Sequence, residues 1–392
     1  MSYQLCDSIQ GLCSYLRGVV STSAVLTAAG VGQEDANAMS AAMTWALRDG
    51  LGMVGGLLFS YAASSLFDGY IKEWKLFADI INDVGLTLDM LAPYFSSHVL
   101  YVTSLATVCK VMCGISAGAT KGSITQHFCK KGNMADLNAK ESTQETLVSL
   151  IGMILGVSLA NYLQKLEDKK TICSMSASSI SWTIFNILTI FHVCINYIGV
   201  RLLHLKTLNT QRTSEAIAPM VAMAASAFNK KNDWVIGALS AIPPPNGISE
   251  SLLGSVSFML FPRQSRGLLL GARLSDVINL MTVEDVQEQL RSNHNYIICI
   301  DGKKCIYVAL LVGTNEQDQL DAYIHAEIVK EILKTQQIDK KTALTIARVQ
   351  MSILKSQGLS LSVFEEKGWN VKDRLYLGFA RWRIEVAKPK DQ

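Results

Sequence analysis

The chain has 392 residues, of which 18% are charged, with a mean hydropathy of +0.24 and a formal net charge of +3. Typical soluble domains carry roughly 25% charged residues, and a nucleic-acid-binding surface needs clustered Lys and Arg that this dispersed charge does not supply. These values favour a membrane protein with no nucleic-acid partner. The nine cysteines, an odd number found mostly in apolar surroundings, favour an intracellular location.

The first apolar stretches, residues 18–33 and 50–67, are uncharged and close to the lower length limit for a membrane span. Between residues 72 and 91, apolar side chains recur at helical spacing opposite several polar ones, which predicts an amphipathic helix. Asp79 and Asp83 lie one turn apart on its polar side, a spacing that suits cation binding or a shared proton. We favour a solvated helix face, in which Asp79 pairs with a neighbouring lysine.

Residues 97–121 form another predicted apolar helix, interrupted by Lys110. An ammonium group in such a helix is costly in lipid unless it is paired or faces a polar cavity. If the helix crosses a membrane, Asp49 or Asp83 is the predicted partner of Lys110. A structural ion pair and a ligand site are both open interpretations.

Residues 126–145 are polar with little periodicity, which predicts a loop. Near its end, Ser142 and Glu145 have the spacing of a capping box, which predicts a helix from about Thr143. The segment is either a ligand or partner site or a capped connection with local turn bonds. Its candidate residues are Gln126, His127, Asn133, Asp136, Lys140 and Glu145.

Residues 146–164 carry no charge over a length that just crosses about 30 Å of hydrocarbon at ~1.5 Å per residue. Residues 171–200 are uncharged apart from the titratable His192, with Trp182 and Tyr197 placed as interfacial aromatic residues are. The short charged link between these stretches predicts an antiparallel hairpin of two spans. Flanking Lys and Arg residues predict that both outer ends face the cytoplasm.

Glycines four residues apart let helices approach closely where lipid supplies no hydrophobic drive. Residues 50–55 also match the dinucleotide-binding pattern G-x-G-x-x-G, but no strand precedes them, so we favour helix packing. The packing candidates are Gly52, Gly56, Gly114, Gly118, Gly152 and Gly156.

Three consecutive prolines from Pro243, followed by Asn-Gly, mark the clearest break in the chain. The fold class is predicted to be mainly α, a helical membrane-embedded N-terminal region followed by a smaller α+β C-terminal domain. The predicted divisions are residues 1–215 for the helical domain, 216–253 for a linker and 254–392 for the α+β domain. Beyond the break, strands are predicted at 255–261, 296–300, 305–312 and 374–386, a hairpin turn at Asp301-Gly302, and helices at 318–333 and 342–357.

Four strings carry a family resemblance: WALRDGLG (residues 45–52), WKLFADIIND (74–83), TQHF (125–128) and GNMADLNAKESTQET (132–146). In this order they resemble the ROOT UVB SENSITIVE, or RUS, family, and the likeness is close up to residue 212. The resemblance implies a membrane-associated protein, linked in plants to root light responses, seedling development and vitamin B6 balance, with no established catalytic activity. Because the family motif extends through residues that capping does not require, we favour a functional role for residues 126–145.

No Walker-type loop, His-Glu-x-x-His pattern or four-ligand zinc spacing occurs, and we predict no catalytic residue, metal site or cofactor. The leading hypothesis is a non-enzymatic scaffold or small-molecule handling component. One alternative is a carrier whose polar pathway is lined by Lys110, Asp83 and residues 126–145, and another is a vitamin B6-dependent enzyme. The predicted partners are the lipid bilayer and either another RUS-family protein or a second copy, in an intracellular membrane whose organelle is not identified.

Overall fold

The chain forms two compact units, Met1–Leu203 and His204–Gln392, here called the N-terminal and C-terminal units. The N-terminal unit is helical, and the strands of the described residues lie in the C-terminal unit, which confirms the predicted fold class. This computed structural model describes residues 2–29, 38–130, 132–168, 177–227, 233–248, 267–291, 295–302, 305–377 and 383–385.

Long helices build the N-terminal unit, and the shortest of them has 21 residues. Three are long and apolar enough to cross a membrane, over Val99–Phe128, Met134–Lys165 and Ser178–Arg201. The helices are α1 Ser2–Ala28, α2 Ala38–Ala63, α3 Ile71–Leu91, α4 Val99–Phe128, α5 Met134–Asp168 and α6 Ala177–Arg201, with short 3-10 segments at Ser64–Leu66 and Ala92–His98.

Helix α1 lies at the centre of the packing that positions the site, because it contacts α3, α5 and α6. Gly152 of α5 meets Tyr15 of α1, and Gly156 one turn later meets Val19, so the two helices run parallel. Helix α6 runs the other way along α1, because its later residue Gly199 lies against the earlier Cys6. Helices α5 and α6 are therefore antiparallel, as the predicted hairpin requires, and residues 169–176 of their link lie outside the described residues.

The predicted loop over residues 126–145 is wrong. Helix α4 continues to Phe128 and α5 begins at Met134, so only the residues between them connect the two helices. The carbonyl of Asn133 accepts the first helical hydrogen bond, from the amide of Leu137 at 3.1 Å. Residues 134–145 are rich in Ala, Leu, Lys and Glu, whose helix propensity needs no apolar periodicity. The predicted capping box at Ser142 and Glu145 consequently lies within a helix rather than at its start.

A three-stranded sheet and the helices packed on it form the C-terminal unit. Strand β4 lies at the centre, parallel to β2 and antiparallel to β3, and β1 pairs with β5 in a separate two-stranded sheet. The elements are β1 Thr207–Asn209, α7 Thr210–Ser226, α8 Trp234–Ser240, β2 Leu268–Leu270, α9 Leu274–Ile278, α10 Val283–Arg291, β3 Tyr296–Ile300, β4 Ile306–Leu310, α11 Glu316–Thr335, α12 Lys340–Ser356, α13 Leu361–Glu366 and β5 Asn370–Tyr376.

Most of the predicted C-terminal elements are confirmed, namely the hairpin of β3 and β4 and the two helices α11 and α12. The predicted strand at 374–386 begins earlier, as β5, and Ile384 forms a single bridge to Leu311. The predicted strand at 255–261 lies outside the described residues.

The two units divide between Leu203 and His204, earlier than the predicted break near Pro243. Much of the predicted linker is folded, because α7 and α8 contribute Ile217, Met220 and Val235 to the core of the C-terminal unit. The three prolines follow the end of α8 and lie inside the C-terminal unit.

Candidate functional site

A cluster of charged and polar side chains is buried in the N-terminal unit, among α1, α3 and α6. The helical period places Gln10 and Arg17 of α1 two turns apart on one face, and the two acids of α3 one turn apart. We call this cluster the charge network, and its members are Asp7, Gln10, Arg17, Lys75, Asp79, Asp83 and His192.

The centre of the charge network is the carboxylate of Asp83. Arg17 donates from Nη1 to Asp83 Oδ1 at 2.5 Å, and His192 Nδ1 lies 3.2 Å from Asp83 Oδ2. Arg17 and His192 have no exposed surface. Charge-assisted hydrogen bonds of this kind are the strong ones in a protein interior, so Asp83 joins α1, α3 and α6 at one point.

Gln10 extends the charge network from His192 to Asp79. Its amide nitrogen donates to Asp79 Oδ1 at 2.6 Å and lies 3.2 Å from His192 Nε2. An amide nitrogen only donates, so His192 Nε2 accepts and His192 Nδ1–H donates to Asp83. This arrangement suits a neutral imidazole whose orientation both neighbours hold.

Asp79 and Lys75 form the other end of the charge network. Lys75 Nζ lies 3.5 Å from Asp79 Oδ2 and 3.3 Å from Asp7 Oδ1. Helix α3 is outside the three candidate spans. Burial raises the pKa of the Asp79 carboxyl, and the neighbouring Lys75 ammonium partly opposes this effect. The Asp79 carboxyl therefore keeps its proton to a higher pH than an exposed aspartate does.

Arg17 also has donor capacity that the charge network does not use. Its Nε and Nη2 atoms are buried and have no hydrogen-bond partner among the described residues. Buried polar groups are generally satisfied by protein or water. These two atoms are therefore donors that a water molecule or a polar ligand would satisfy.

The predicted solvated face of α3 is wrong. Asp79 and Asp83 point into the bundle, whereas Ile80 and Val84 on the opposite side are each 44% exposed. The period of a helix separates its polar and apolar faces but does not state which of them meets the protein interior. Here the polar face is the inner one.

Lys110 pairs with neither of its predicted partners. Its Nζ lies 2.7 Å from Oδ2 of the buried Asp89, which follows Asp83 on α3 by between one and two turns. Asp49 instead pairs with its neighbour Arg48 at 2.8 Å, and its side chain is exposed. The ammonium of Lys110 is thus held by a structural ion pair between α3 and α4.

The six candidates from residues 126–145 are spread over two helices rather than gathered at one site. Gln126 is exposed, the His127 ring lies against Phe128, and Asn133 accepts a hydrogen bond from the amide of Lys130 at 2.8 Å. The other three form exposed ion pairs, Asp136 with Lys140 and Glu145 with Lys121, each at 2.7 Å.

A small cavity beside residues 126–145 has the form of a binding site. Lys140 lines a space of about 250 Å³ together with Glu141 and the stacked rings of Tyr3 and Phe128. None of its described lining residues is a member of the charge network.

The predicted packing glycines divide into two groups. A Cβ atom on Gly52 or Gly56 would lie within 2.6 Å of a side-chain carbon of α4, and one on Gly152 or Gly156 would lie within 2.9 Å of a side-chain carbon of α1. A Cβ atom on Gly114 or Gly118 would meet no atom of the described residues within 4 Å. Small residues therefore bring α2 to α4 and α5 to α1.

Ser116 lies in a Gly-Ile-Ser-Ala-Gly stretch that matches the G-x-S-x-G pattern of serine hydrolases, a match that the sequence analysis missed. That pattern needs a sharp strand-to-helix turn that exposes the serine. Ser116 is instead fully buried in the middle of α4. Among the described residues, no group of three or more His, Cys, Asp or Glu side chains is placed to hold a metal ion.

Gln10 and Arg17 are the site residues that the sequence analysis missed. Arg17 is the only charged residue between positions 8 and 33, so the high cost of a lone charge in an apolar helix, which singles out Lys110, singles out Arg17 as well. No comparable signal identifies Gln10, whose role depends on the position of α1 against α3 and α6.

Comparisons with known proteins identify the family. Residues 1–223 match the family model described as "Vitamin B6 photo-protection and homoeostasis domain", and residues 257–386 match "Root UVB sensitive protein, C-terminal". The first of these matches contains the whole charge network.

Among its relatives, the chain is 32% identical to Protein root UVB sensitive 3 of Arabidopsis thaliana, over 85% of this chain and 72% of that protein. It is 33% identical to RUS family member 1 of Dictyostelium discoideum, over 74% of this chain and 49% of that protein. It is 30% identical to the chloroplastic Protein root UVB sensitive 2 of Arabidopsis thaliana, over 56% of this chain and 47% of that protein. The chain therefore belongs to the root UVB sensitive, or RUS, family.

Proposed function

We propose that the N-terminal unit is embedded in an intracellular membrane and that the protein is a non-enzymatic component that binds a small polar molecule within its helix bundle. The observation that carries this proposal is that α3, α1 and α6 place polar side chains inside and apolar side chains outside, the reverse of a water-soluble bundle. Their charged side chains meet inside the bundle as the charge network, while apolar side chains such as Ile80, Val84 and Ile190 are exposed.

A bilayer accounts for this arrangement. Water would favour the opposite placement, because exposed apolar area is costly and ionised groups are well hydrated at the surface. In lipid, charged side chains face the bundle interior and pair with one another. The three helices of sufficient length and hydropathy support the same conclusion.

The family model and the unsatisfied donors of Arg17 support a small-molecule role. The family model that matches this unit is described by vitamin B6 homoeostasis, so we take the pyridine vitamers as the first ligands to test. The buried Nε and Nη2 donors of Arg17 offer hydrogen bonds of the type such molecules accept.

A carrier is the second candidate function. The charge network follows α1 from Asp7 to Arg17, a rise of about 15 Å at ~1.5 Å per residue. Polar groups stacked along a bundle axis support a transport pathway better than they support a scaffold. The pathway would be lined by Asp83, as the sequence predicted, but not by Lys110 or residues 126–145.

Alkaline extraction of membranes tests the membrane proposal, with protease mapping of a tag at each end of the chain. We expect the protein to stay in the membrane pellet. Release into the soluble fraction would contradict the proposal.

Thermal unfolding of the detergent-purified protein tests ligand binding, with pyridoxine, pyridoxal and pyridoxal 5′-phosphate added separately. We expect at least one vitamer to raise the Tm, and a shift that Gln10→Leu reduces would assign the ligand to the charge network. Glu145→Gln, which alters only an exposed ion pair, is the matched control. The enzyme alternative would be favoured if the protein with a bound vitamer shows a visible absorbance band and turns over an added amine.

A further inference from the structure

A cavity of about 470 Å³ lies in the N-terminal unit between α1, α5, α6 and the 3-10 segment Ala92–His98. This volume is within the range of small-molecule sites, roughly 300–1,000 Å³. The cavity is open to the surface beside Tyr94, which is 61% exposed. It is therefore large enough and accessible enough for a ligand of drug-like size.

The lining of the cavity combines hydroxyl groups with apolar walls. Ser23, Thr27 and Tyr94 contribute hydroxyl groups, and Trp182 and Pro93 contribute flat apolar surface. None of the described lining residues is charged. Such a surface suits an uncharged molecule that carries hydroxyl groups on a ring, because an ionised group would lose hydration without gaining a counter-charge.

Hydrogen bonds hold the aromatic side of the cavity in place. Trp182 donates from Nε1 to the Tyr94 hydroxyl at 3.1 Å, and the same hydroxyl lies 3.0 Å from Ser178 Oγ. The fixed Tyr94 and Trp182 rings offer a preformed surface, and a rigid site loses less entropy on binding than a mobile one.

An apolar layer separates the cavity from the charge network. It consists of Val20, Leu86, Met90 and Phe185, all of them buried, and Val20 and Met90 also line the cavity. We call these four residues the apolar plug.

The charge network begins about one helical turn beyond the plug. Arg17 precedes Val20 by three residues on α1, and Asp83 precedes Leu86 by three on α3. On the antiparallel α6, Thr189 follows Phe185 by four residues and lies 3.4 Å from Arg17 Nη1. The order along the bundle is therefore cavity, apolar plug and charge network.

We propose that this cavity is the binding site for an uncharged, hydroxyl-bearing ring molecule, and that the apolar plug closes the cavity from the charge network. The proposal rests on the small-molecule function proposed above, but it places the ligand in this cavity rather than against the Arg17 donors of the charge network, and it assigns the ligand to one charge class. It predicts that the neutral alcohol pyridoxine binds there in preference to the anionic pyridoxal 5′-phosphate.

A cavity-filling variant tests the site. Ala160 lines the cavity on α5, whereas Val157, one turn earlier, is exposed on the outside of the bundle. In detergent-purified full-length protein we expect Ala160→Phe to weaken pyridoxine binding at least tenfold, measured by quenching of tryptophan fluorescence and by Tm shift. Val157→Phe should leave binding within twofold of the unchanged protein. Ser23→Ile, which exchanges a lining hydroxyl for bulk, gives a second test should Ala160→Phe fail to fold.

Three results would overturn the assignment. If pyridoxine binds equally well to Ala160→Phe and Ser23→Ile, the ligand lies elsewhere and the proposed function stands without this site. If the phosphorylated vitamer binds more tightly than pyridoxine, the charge class is wrong. If monoolein displaces pyridoxine competitively at low concentrations, the cavity is a site for a neutral lipid headgroup.

Absence of binding by every vitamer to the unchanged protein would contradict the proposed function as well as the site. Loss of pyridoxine binding in both cavity variants, with the Val157→Phe control intact, would support both.

Discussion

The two units of this chain place apolar and charged side chains in opposite ways. Of the 40 exposed large apolar side chains among the described residues, 33 lie in the N-terminal unit and only 7 in the C-terminal unit. The C-terminal unit has somewhat fewer described residues, but the shortfall is far too small to explain this difference. This contrast is the one expected if lipid surrounds the N-terminal unit and water surrounds the C-terminal unit, as proposed above.

The C-terminal unit buries most of its large apolar side chains. One continuous core joins β3, β4, α7, α11 and α12. Its buried polar groups are tied to the fold: Gln289 bonds both the amide and the carbonyl of Ile298, and Asp321 pairs with Lys355 at 2.7 Å. Burial raises the pKa of Asp321, and Lys355 opposes this effect. These polar groups join neighbouring elements, whereas those of the N-terminal unit bond to one another in the charge network.

Removing one charge from the interior of the N-terminal unit should have the largest effect. Arg17→Met leaves Asp83 without its cation, and breaking a buried pair in this way costs about 3–5 kcal/mol. We expect a large loss of Tm and of monodisperse protein in detergent. The exposed Lys140→Met should change stability by less than about 0.5 kcal/mol.

The double variant Arg17→Met/Asp83→Leu sharpens this test, because it removes both charges together. We expect it to recover most of the lost stability. A double variant as unstable as Arg17→Met alone would argue that the ion pair is not the source of the effect.

Adding a charge to the outside of each unit tests the contrast directly. Ile154 on α5 is 58% exposed and Val349 on α12 is 52% exposed. If lipid surrounds α5, Ile154→Arg costs about 2.5–3.5 kcal/mol of insertion free energy near the helix centre, while Val349→Arg at a wet surface stays within about 0.5 kcal/mol. The measurement is the alkali-resistant membrane fraction of each variant. Equal alkali-resistant membrane fractions for the two variants would contradict the proposed difference between the surroundings of the two units.

The close approach of α2 to α4 should depend on Gly56. Its Cβ position lies 2.5 Å from Val111 Cγ1, so Gly56→Ala forces the helices apart or distorts Val111. We expect a loss of about 1–3 kcal/mol, read as a lower Tm in detergent.

Gly118→Ala is the matched control for this substitution. The Cβ position of Gly118 is open among the described residues, and alanine favours the helix by up to about 1 kcal/mol. A Gly118→Ala variant as unstable as Gly56→Ala would show that helix packing is not what the measurement detects.

The smallest effect concerns acid stability of the C-terminal unit. Asp339 caps α12, and hydrogen bonds from Thr342, first from its hydroxyl and then from its amide, lower the pKa of this carboxyl. Since the folded pKa is lowered, its stabilising contribution is complete above the ordinary aspartate pKa of about 3.9 and is lost as the pH falls through the folded value. Asp339→Asn keeps a capping oxygen, so we expect a flatter dependence of unfolding on pH below about 4. Circular dichroism during acid titration, with Glu331→Gln as control, measures this; an unchanged slope would contradict it.

Helical stretches were largely predictable, because they depend on local composition and period, but the starts of α1 and α5 were not. The predicted start of α3 was one residue late, and its predicted last residue was correct. The hairpin of β3 and β4 was predicted from the Asp301-Gly302 turn. Residues 134–145 were mistaken for a loop because their helix depends on propensity and on tertiary contacts rather than on an apolar stripe.

Partners across helices were much less predictable. The position of Lys110 in an apolar helix correctly predicted that it needs a partner, but Asp89 rather than Asp49 or Asp83 is that partner. The choice among three acids depends on the register of α3 against α4. Gly85 sets this register through a close approach of the two helices, because a Cβ atom built on it would lie 3.0 Å from the carbonyl oxygen of Ala106. Register between helices is a property of their packed surfaces and not of either helix alone.

By itself, the sequence determined the family, the mainly helical fold class and the stretches apolar enough to cross a membrane, since each of these depends on residues close together in the chain. Only the tertiary structure decided that the acidic face of α3 points inward and that Gln10, Arg17 and His192 meet it there. The physical reason is that these contacts join residues 66 to 182 positions apart, and only the packing of α1 between α3 and α6 brings them within hydrogen-bonding distance.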